Sequence, residues 1–499
     1  MATRHGWWAV RVARTVVLTL GMVLAGPVAG AQSVRIQGVT SVQSVDLRPM
    51  VEDSVPIGQA SGTGPYRTLA DGRLVRCIDG EAFCRFRRSG DRVAATPLTQ
   101  DLRAAAWGFG RGLSLHAHVR ARSALGNEDF LWPRARDEFD AIEAYMQFDR
   151  DQLRIRLGRQ WAANGLGLYN YDGGAVTFRR GYAQVEGFGG VSLVAGLNET
   201  HTGSILGDID DLPPEERGYL IGVRGSTRFG GRAAFGATYQ RVIMANRAGL
   251  YSERIAGDAT LRLLGVSWEA GYIHDLVAGT VNEARLRAAR ALPNRINATL
   301  TARRHRPFFE SWTIWGAFSP VAFDEVRGTL GWHAPGENLT LNARGGWRSY
   351  EETNAGLQSI PLRTDGWRAG AGAEWTPAAE WLVYGDYDVD IGFGASRSDG
   401  TAGARWTPRE RTFVGGSLSL LENIYEFKVG TGRILGVRLE GGMRLASEVR
   451  AVVDAGWYSH RLTSRAPTTD WSQRRLSARL EWTVGRDPGA PVPARRAVP

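Results

Sequence analysis

The sequence predicts an all-β fold: a single-chain, transmembrane, antiparallel up-and-down β-barrel of about 18 strands, within a range of 16–20, with a small disulfide-containing element before it. Three observations lead to this prediction. From 112 to 484, strand-length stretches alternate apolar with polar residues, turn residues separate these stretches, and an export signal precedes them. Because strand side chains alternate faces, each stretch has one apolar and one polar face. A membrane barrel with a water-filled interior requires this pattern.

Residues 1–31 have the parts of a secretory signal peptide. Basic residues precede an apolar run, 15–25, and the small residues 29–31 fit a cleavage site. The alternative is a retained anchor helix, which needs ~20 apolar residues, more than this run contains. We expect the mature chain to begin at Gln32, outside the cytoplasm.

Residues 32–111 are predicted to form a separate N-terminal element, because prolines and short strand-like pieces interrupt the alternation there. Cys77 and Cys84 flank a six-residue stretch with a turn signal and should form a hairpin disulfide in an oxidising envelope. Free thiols or a metal site are the alternatives, although two cysteines without nearby histidines cannot complete a zinc shell. The sequence leaves open whether this element is periplasmic or plugs the lumen.

The barrel is predicted over 112–485, and a proline- and arginine-rich tail, 486–499, follows it. Its candidate strands are long enough to cross a bilayer, which takes ~9–11 residues per strand. Short turns are predicted at 172–174, 229–231 and 335–338, and outer loops at 126–138, 200–216 and 304–323. The strand number should be even, as in bacterial single-chain barrels.

Arginine dominates the positive charge, since the chain has 61 basic and 51 acidic residues and Lys428 is the only lysine. Alternation places one set of arginines on the inner face of the barrel. These are Arg120, Arg122, Arg154, Arg156, Arg285, Arg287, Arg303, Arg344, Arg348, Arg438 and Arg479. A narrow, low-dielectric channel would focus their field and favour anions. Two alternatives stay open: a GC-rich genome explains the arginines, or they pair with lumen acids and leave only a polar wall.

Three carboxylates, Asp386, Asp388 and Asp390, share one face of a predicted strand. Placed opposite the arginines, they would create a transverse field that orients polar solutes. Placed among the arginines, they would neutralise them. The sequence does not choose between these arrangements.

Other chemistry has little support in the sequence. His116 and His118 share a strand face, but no third metal ligand is identifiable. The acidic stretch 208–216 fits a solvated loop better than a divalent-cation site. There is no nucleophile elbow, phosphate-binding loop or dinucleotide motif, and the dispersed basic residues do not fit nucleic-acid binding. We expect no catalytic residue, no metal and no cofactor.

One short motif carries a family resemblance. It consists of Arg156-Leu157-Gly158-Arg159-Gln160, then 165–167, then Tyr171-Asp172-Gly173-Gly174. This pattern resembles that of alginate-export-type channels and related outer-membrane porins. The resemblance implies a barrel of about eighteen strands whose electropositive lumen passes anionic solutes or polymers, and it marks Arg159 and Gln160 as motif residues. The tail and the disulfide-containing element depart from the pattern.

The sequence thus predicts an outer-membrane channel for passive passage of small, anionic, polar solutes or polysaccharide. The expected partners are outer-membrane lipids, the barrel-assembly machinery, and anionic or polar solutes or oligosaccharides, with no nucleic acid. The rivals are a barrel enzyme that hydrolyses lipids or esters, and a structural or adhesive barrel that the N-terminal element occludes. The oligomeric state stays open.

Overall fold

The computed structural model describes residues 33–47, 50–70, 74–78, 80–110, 112–126, 139–193, 218–244, 250–306, 322–351, 364–392, 396–424, 432–462 and 471–485. The predicted signal peptide, tail, acidic stretch and most of the predicted outer loops lie outside these residues. No helix in the described ranges is long and apolar enough to cross a bilayer.

Strands make up nearly all of the described chain. In order they are β1 (Ser33–Leu47), β2 (Met50–Pro56), β3 (Tyr66–Thr68), β4 (Leu74–Cys77), β5 (Phe83–Ser89), β6 (Val93–Trp107), β7 (Leu113–Gly126), β8 (Phe139–Arg150), β9 (Leu153–Asn164), β10 (Gly167–Arg180), β11 (Ala183–Ser192), β12 (Gly218–Phe229), β13 (Ala233–Met244), β14 (Leu250–Leu263), β15 (Val266–Asp275), β16 (Thr280–Leu292), β17 (Ile296–His305), β18 (Phe323–His333), β19 (Leu339–Tyr350), β20 (Asp365–Trp375), β21 (Trp381–Ile391), β22 (Ser396–Arg409), β23 (Thr412–Ile424), β24 (Gly432–Ala446), β25 (Val449–Leu462) and β26 (Trp471–Gly485). The all-β prediction is confirmed.

A closed antiparallel barrel of 22 strands contains β1 and β6 to β26. Each strand from β6 onward pairs with the next one in the chain, so the connections form an up-and-down meander. Strand β1 closes the barrel, because it pairs with β26 on one side and with β6 on the other. The first and last strands of the wall are therefore paired with each other and neither is left as a free sheet edge.

The predicted number of about 18 strands is wrong, because the barrel has 22. Two of the additional strands, β1 and β6, come from the range 32–111, where the sequence suggests only an N-terminal element. A third is β10, whose middle contains the Asp172-Gly173-Gly174 segment predicted as a turn. Glycine is needed there for close strand approach, since a Cβ on Gly173 would lie 2.1 Å from the Gly189 carbonyl oxygen of β11. The turns at 229–231 and 335–338 do lie between strands, as predicted.

The two ends of the barrel differ in the length of their connections. At one end, from the β6–β7 connection to the β24–β25 connection, strands are joined by two to five residues. At the other end the connections include the long intervals β11–β12, β17–β18 and β19–β20. We call these the short-connection end and the long-connection end. Strand β1 begins, and β26 ends, at the short-connection end.

A second, four-stranded sheet with the order β2-β5-β4-β3 is inserted between barrel strands β1 and β6. The predicted disulfide is confirmed: Cys77 of β4 and Cys84 of β5 are direct cross-strand partners and are bonded. Both lie in a small apolar core with Val75, against which Val55 and Phe86 pack. Because Leu47 pairs with Val93, this disulfide sheet leaves and rejoins the barrel at the long-connection end.

Candidate functional site

The barrel wall has two chemically different faces. Residues directly opposite each other in neighbouring strands point to the same side, so the register traces each face around the barrel. Arg303 lies opposite Arg285 and Glu325, and Glu325 lies opposite Arg348. On this polar side some ion pairs reach over an intervening strand, as expected for the concave inner face, where side chains converge. The outer face carries exposed apolar side chains such as Leu330.

The register places the arginines named in the sequence analysis together on one face of the wall, the polar face. The same holds for Asp386, Asp388 and Asp390 of β21. The arginines are Arg120 and Arg122 of β7, Arg154 and Arg156 of β9, Arg285 and Arg287 of β16, Arg303 of β17, Arg344 and Arg348 of β19, Arg438 of β24 and Arg479 of β26.

Each of these arginines has a carboxylate partner on the same face. The closest N–O distances are Arg120–Asp101 2.9 Å, Arg122–Asp140 3.6 Å, Arg154–Asp149 2.6 Å, Arg156–Glu186 3.3 Å, Arg285–Glu283 4.0 Å, Arg287–Glu269 3.3 Å, Arg303–Glu283 3.3 Å, Arg348–Glu325 2.9 Å, Arg438–Asp454 3.3 Å and Arg479–Glu481 2.8 Å, and Arg344 pairs with both Asp386 and Asp388. The three aspartates of β21 therefore lie among the arginines. Much of the wall is a mosaic of paired charges.

Glycines make room for the longest of these pairs. Arg344 of β19 reaches across β20 to Asp386 and Asp388 of β21, and the inward positions of β20 between them are Gly370 and Gly372. A Cβ on Gly370 would lie 2.1 Å from an Asp388 carboxylate oxygen. The same device recurs where Arg224 of β12 reaches over Gly236 of β13 to Asp258 of β14, with an N–O distance of 2.8 Å.

A hairpin formed by the distal halves of β9 and β10 leaves the wall and folds into the lumen. The two strands stay paired with each other up to Asn164 and Gly167. However, β9 pairs with β8 only up to Arg159, and β10 pairs with β11 only from Tyr171 onward. Residues 160–169 thus have no strand partner in the wall on either side, and the wall resumes at Asn170, whose carbonyl accepts a hydrogen bond from the Leu193 N–H at 3.0 Å. We call residues 160–169 the inward hairpin.

The inward hairpin covers the inner face of β11 to β14. At its tip, a Cβ on Gly165 would lie 3.1 Å from the Ala256 methyl group of β14. The Asn164 amide donates to the Gln240 side-chain oxygen of β13 at 3.4 Å, and Arg254 of β14 donates to the Tyr169 hydroxyl. Apolar packing adds to these bonds. Ala162, Tyr169 and Tyr171 pack in one cluster with Phe188, Leu220 and Val242 of the wall.

The two motif residues, Arg159 and Gln160, lie at the bend where the inward hairpin leaves the wall. Arg159 forms a two-point ion pair with Asp172, at 2.7 and 2.8 Å, and also donates to the Ala141 carbonyl of β8 at 2.9 Å. Gln160 is fully buried and donates to the Gly173 carbonyl at 3.1 Å. Arg159 thus bonds to a carbonyl of β8 at the point where β9 stops pairing with that strand.

Some arginines on the inner face have no carboxylate within 4 Å among the described residues. Four of them are Arg103, Arg262, Arg405 and Arg444, and all lie within the last five residues of β6, β14, β22 and β24. These strands end at the short-connection end. We call these four side chains the mouth arginines. Arg327 of β18 and Arg475 of β26 also lie on this face without a carboxylate within 4 Å among the described residues, but away from that mouth, so the mouth arginines are the group of unpaired arginines at one end of the barrel.

The two histidines named in the sequence analysis, His116 and His118, lie on the polar face of β7. No group of three metal-binding side chains occurs in the described ranges. The Ser114 hydroxyl lies 2.9 Å from His116 Nε2, but Ser114 is buried, the His116 ring stacks on Tyr145, and no described carboxylate bonds to His116. His118 instead contacts Asp101 at 3.2 Å.

The comparisons with known proteins add only a general likeness. No family model and no curated protein matches the sequence. Among solved structures, Acinetobacter baumannii OccAB2 shares 7% identity at TM-score 0.41, covering 92% of this chain and 99% of that one. Pseudomonas aeruginosa OccK3 (OpdO) shares 7% at TM-score 0.35, covering 90% and 96%. A bacterial polysaccharide outer membrane secretin shares 8% at TM-score 0.31, covering 60% and 98%. Similarities this low carry no information on function, which must come from the barrel itself.

The architecture agrees with the predicted resemblance to porin-like outer-membrane barrels, since the chain is a large closed β-barrel. The sequence prediction missed the inward hairpin and the mouth arginines. The sequence offers one signal for the hairpin, the glycine at 158 inside an alternating stretch, and the structure gives its reason: a φ of +123° and a Cβ position 2.2 Å from the Ala144 carbonyl oxygen admit only glycine. Nothing local distinguishes the mouth arginines, since their lack of partners depends on which strands become neighbours.

Proposed function

We propose that the protein is an outer-membrane channel for passive passage of small polar solutes, with a modest preference for anions, including acidic oligosaccharides. The observation that carries this proposal is a closed wall whose inner face is charged and whose outer face is apolar and exposed. In lipid, every backbone polar group must find a partner within the protein, and a closed barrel satisfies this requirement.

The outer face also supports a membrane location. Trp367 and Trp375 lie on it near the two ends of β20 and are 41% and 47% exposed. Eight residues at ~3.4 Å each, tilted by ~40°, separate them by about 21 Å along the membrane normal, close to the ~25 Å apolar band of such barrels. Trp381 and Trp406 stack beside Trp375 at the short-connection end. Tryptophans at both borders of an apolar band are typical of membrane interfaces.

The connection lengths support an orientation. Outer-membrane barrels have short periplasmic turns and long extracellular loops. The short-connection end, with the mouth arginines, therefore faces the periplasm in this proposal. The long-connection end, with the disulfide sheet, faces the outside. This orientation replaces both locations suggested by the sequence for the disulfide-containing element.

The anion preference is expected to be modest because the paired arginines cancel locally, whereas the mouth arginines do not. In water, the interaction energy between one arginine charge and a monovalent ion ~10 Å away, reduced by one Debye length of screening, is roughly 0.15 kcal/mol. This energy attracts an anion and repels a cation, so each unpaired arginine changes the local anion-to-cation ratio about 1.7-fold. Arg405 and Arg444 should therefore contribute measurably without making the channel exclusively anionic.

The proposal is tested by reversal potentials in planar bilayers under a salt gradient. The double variant Arg405→Gln/Arg444→Gln should lower the anion-to-cation permeability ratio about two- to threefold. The matched control, Arg290→Gln/Arg474→Gln, removes the same charge from exposed outer-face positions and should leave the ratio unchanged. A protein that does not conduct refutes the channel, and equal ratios in parent and mouth variant refute the role of the mouth arginines.

A further inference from the structure

The exposed face of the disulfide sheet has the composition of a surface that binds acidic headgroups. Tyr66, Arg76 and Arg85 lie side by side across β3, β4 and β5, so their side chains point to the same side. Phe83 continues this face at the start of β5, two residues before Arg85, and Ile78 lies at the same tip, directly after the end of β4 and two residues after Arg76. The disulfide and Val75 occupy the opposite, buried side.

All five side chains of this face are exposed. Tyr66 is 59%, Phe83 51% and Ile78 43% exposed, which is unusual for three large apolar side chains on one small sheet. They cannot belong to the core of the sheet, which packs on its other side. An exposed apolar tip beside basic residues is the arrangement by which proteins contact membrane interfaces.

The charges on the face are not balanced internally. Arg76 and Arg85 are direct cross-strand partners, and like charges in this position repel. Arg85 has Glu52 at 3.4 Å and Glu81 at 3.5 Å, but Arg76 has no carboxylate within ion-pair distance among the described residues. A bound anion between the two guanidinium groups would relieve the repulsion, and phosphate suits their planar donor geometry.

The connections hold the sheet close to the rim of the barrel. Two residues join β1 to β2, and three join β5 to β6. At ~3.5 Å per residue, the sheet begins within about 10 Å of the last wall residues. In the proposed orientation, this distance places it at the level of the outer-leaflet headgroups.

We propose that this face of the disulfide sheet binds the phosphorylated sugar headgroup of an outer-leaflet glycolipid. Arg76 and Arg85 take the phosphate, while Tyr66 and the Ile78–Phe83 tip lie against the sugar and the interface. The sheet is then held beside the pore and does not close it. The inference rests on the proposed function in one respect, the orientation of the barrel, and does not depend on conduction.

The test is lipid A binding by the full-length protein in detergent micelles, measured by microscale thermophoresis. Arg76→Gln/Arg85→Gln should weaken binding about 30-fold, since each basic residue near an anionic membrane surface contributes about fivefold. The control Arg232→Gln/Arg411→Gln removes two exposed charges from the opposite end and should bind like the parent. Heat-modifiable gel migration and retention of the disulfide establish that each variant is folded.

Three outcomes would overturn the inference. One is equal lipid A affinity in the parent and in Arg76→Gln/Arg85→Gln. Another is binding of polygalacturonate, a soluble carboxylate polymer, that depends on the same arginines while lipid A binding does not. The last is a peptide tag inserted after Gly62 that is labelled only after the outer membrane of intact cells is permeabilised. A failure of conduction in bilayers would refute the channel but leave these results unchanged.

Discussion

Replacing Leu220 by alanine should loosen the inward hairpin, because Leu220 is the wall residue most completely covered by the hairpin cluster, with 1% of its surface exposed. A buried leucine truncated to alanine costs 2–5 kcal/mol. If about 3 kcal/mol of this is lost between the hairpin and the wall, the ratio of detached to attached hairpin rises roughly 100-fold. The neighbouring variant Ile221→Ala is the matched control, since Ile221 lies on the outer face and is 54% exposed.

The assay is a distance measurement between two spin labels. One replaces Leu168 on the inward hairpin, which is 68% exposed, and the other replaces Gly257 on β14, where an added side chain meets no atom within 4 Å. Both native cysteines are in the disulfide, so the labels attach only at the introduced sites. Leu220→Ala should add a longer, broader distance population and increase open-channel current noise. An unchanged distribution, or the same change in Ile221→Ala, contradicts the packing argument.

Three other perturbations have defined outcomes. Gly158→Ala should destabilise the barrel by about 2 kcal/mol or more, measured by urea unfolding from vesicles, because the φ of Gly158 is +123° and a Cβ there would collide with a β8 carbonyl. The control is Gly187→Ala, where an added Cβ meets no atom within 4 Å and stability should change by less than about 0.5 kcal/mol. Cys77→Ser should lower the free energy of unfolding of the disulfide sheet by about 2.5 kcal/mol and leave the heat-modifiable migration of the barrel unaltered. Loss of the folded barrel band would contradict the independence of the disulfide sheet and the barrel. In bilayer recordings, Asp388→Asn should raise the anion-to-cation permeability ratio about 1.7-fold, and Arg344→Gln should lower it by the same factor. Shifts of the ratio in the same direction for both variants would be inconsistent with a charge effect.

Which residues share a face of the wall could be predicted from the sequence. Alternation with a period of two is a rigid property of strands, so Arg344 and Arg348, or Asp386 and Asp388, must share a face wherever the strand ends lie. This explains why the shared face of the arginines could be predicted from one strand at a time. Their pairing could not be read in this way, because Asp388 meets Arg344 only through a particular register across β20.

The strand number and the inward hairpin were harder to predict for a related reason. Glycine permits a turn and also permits two backbones to approach closely, and Gly173 serves the second purpose within β10. The departure of residues 160–169 from the wall depends on where β8 stops pairing with β9 and β11 stops pairing with β10, which is a tertiary event. Similarly, β1 closes the barrel because β26, far away in the sequence, supplies its second partner beside β6.

The seam between β1 and β26 has a consequence for biogenesis. These strands are the first and last of the wall, so the ring cannot be completed until nearly the whole polypeptide has been delivered. Before that moment, two rows of amide and carbonyl groups lack partners, and hydrocarbon does not tolerate them. In the membrane location proposed above, a catalyst that inserts the chain would therefore have to shelter both margins at once and release them only when they meet. A chain cut short within β26 would keep an open margin and be a target for proteolysis.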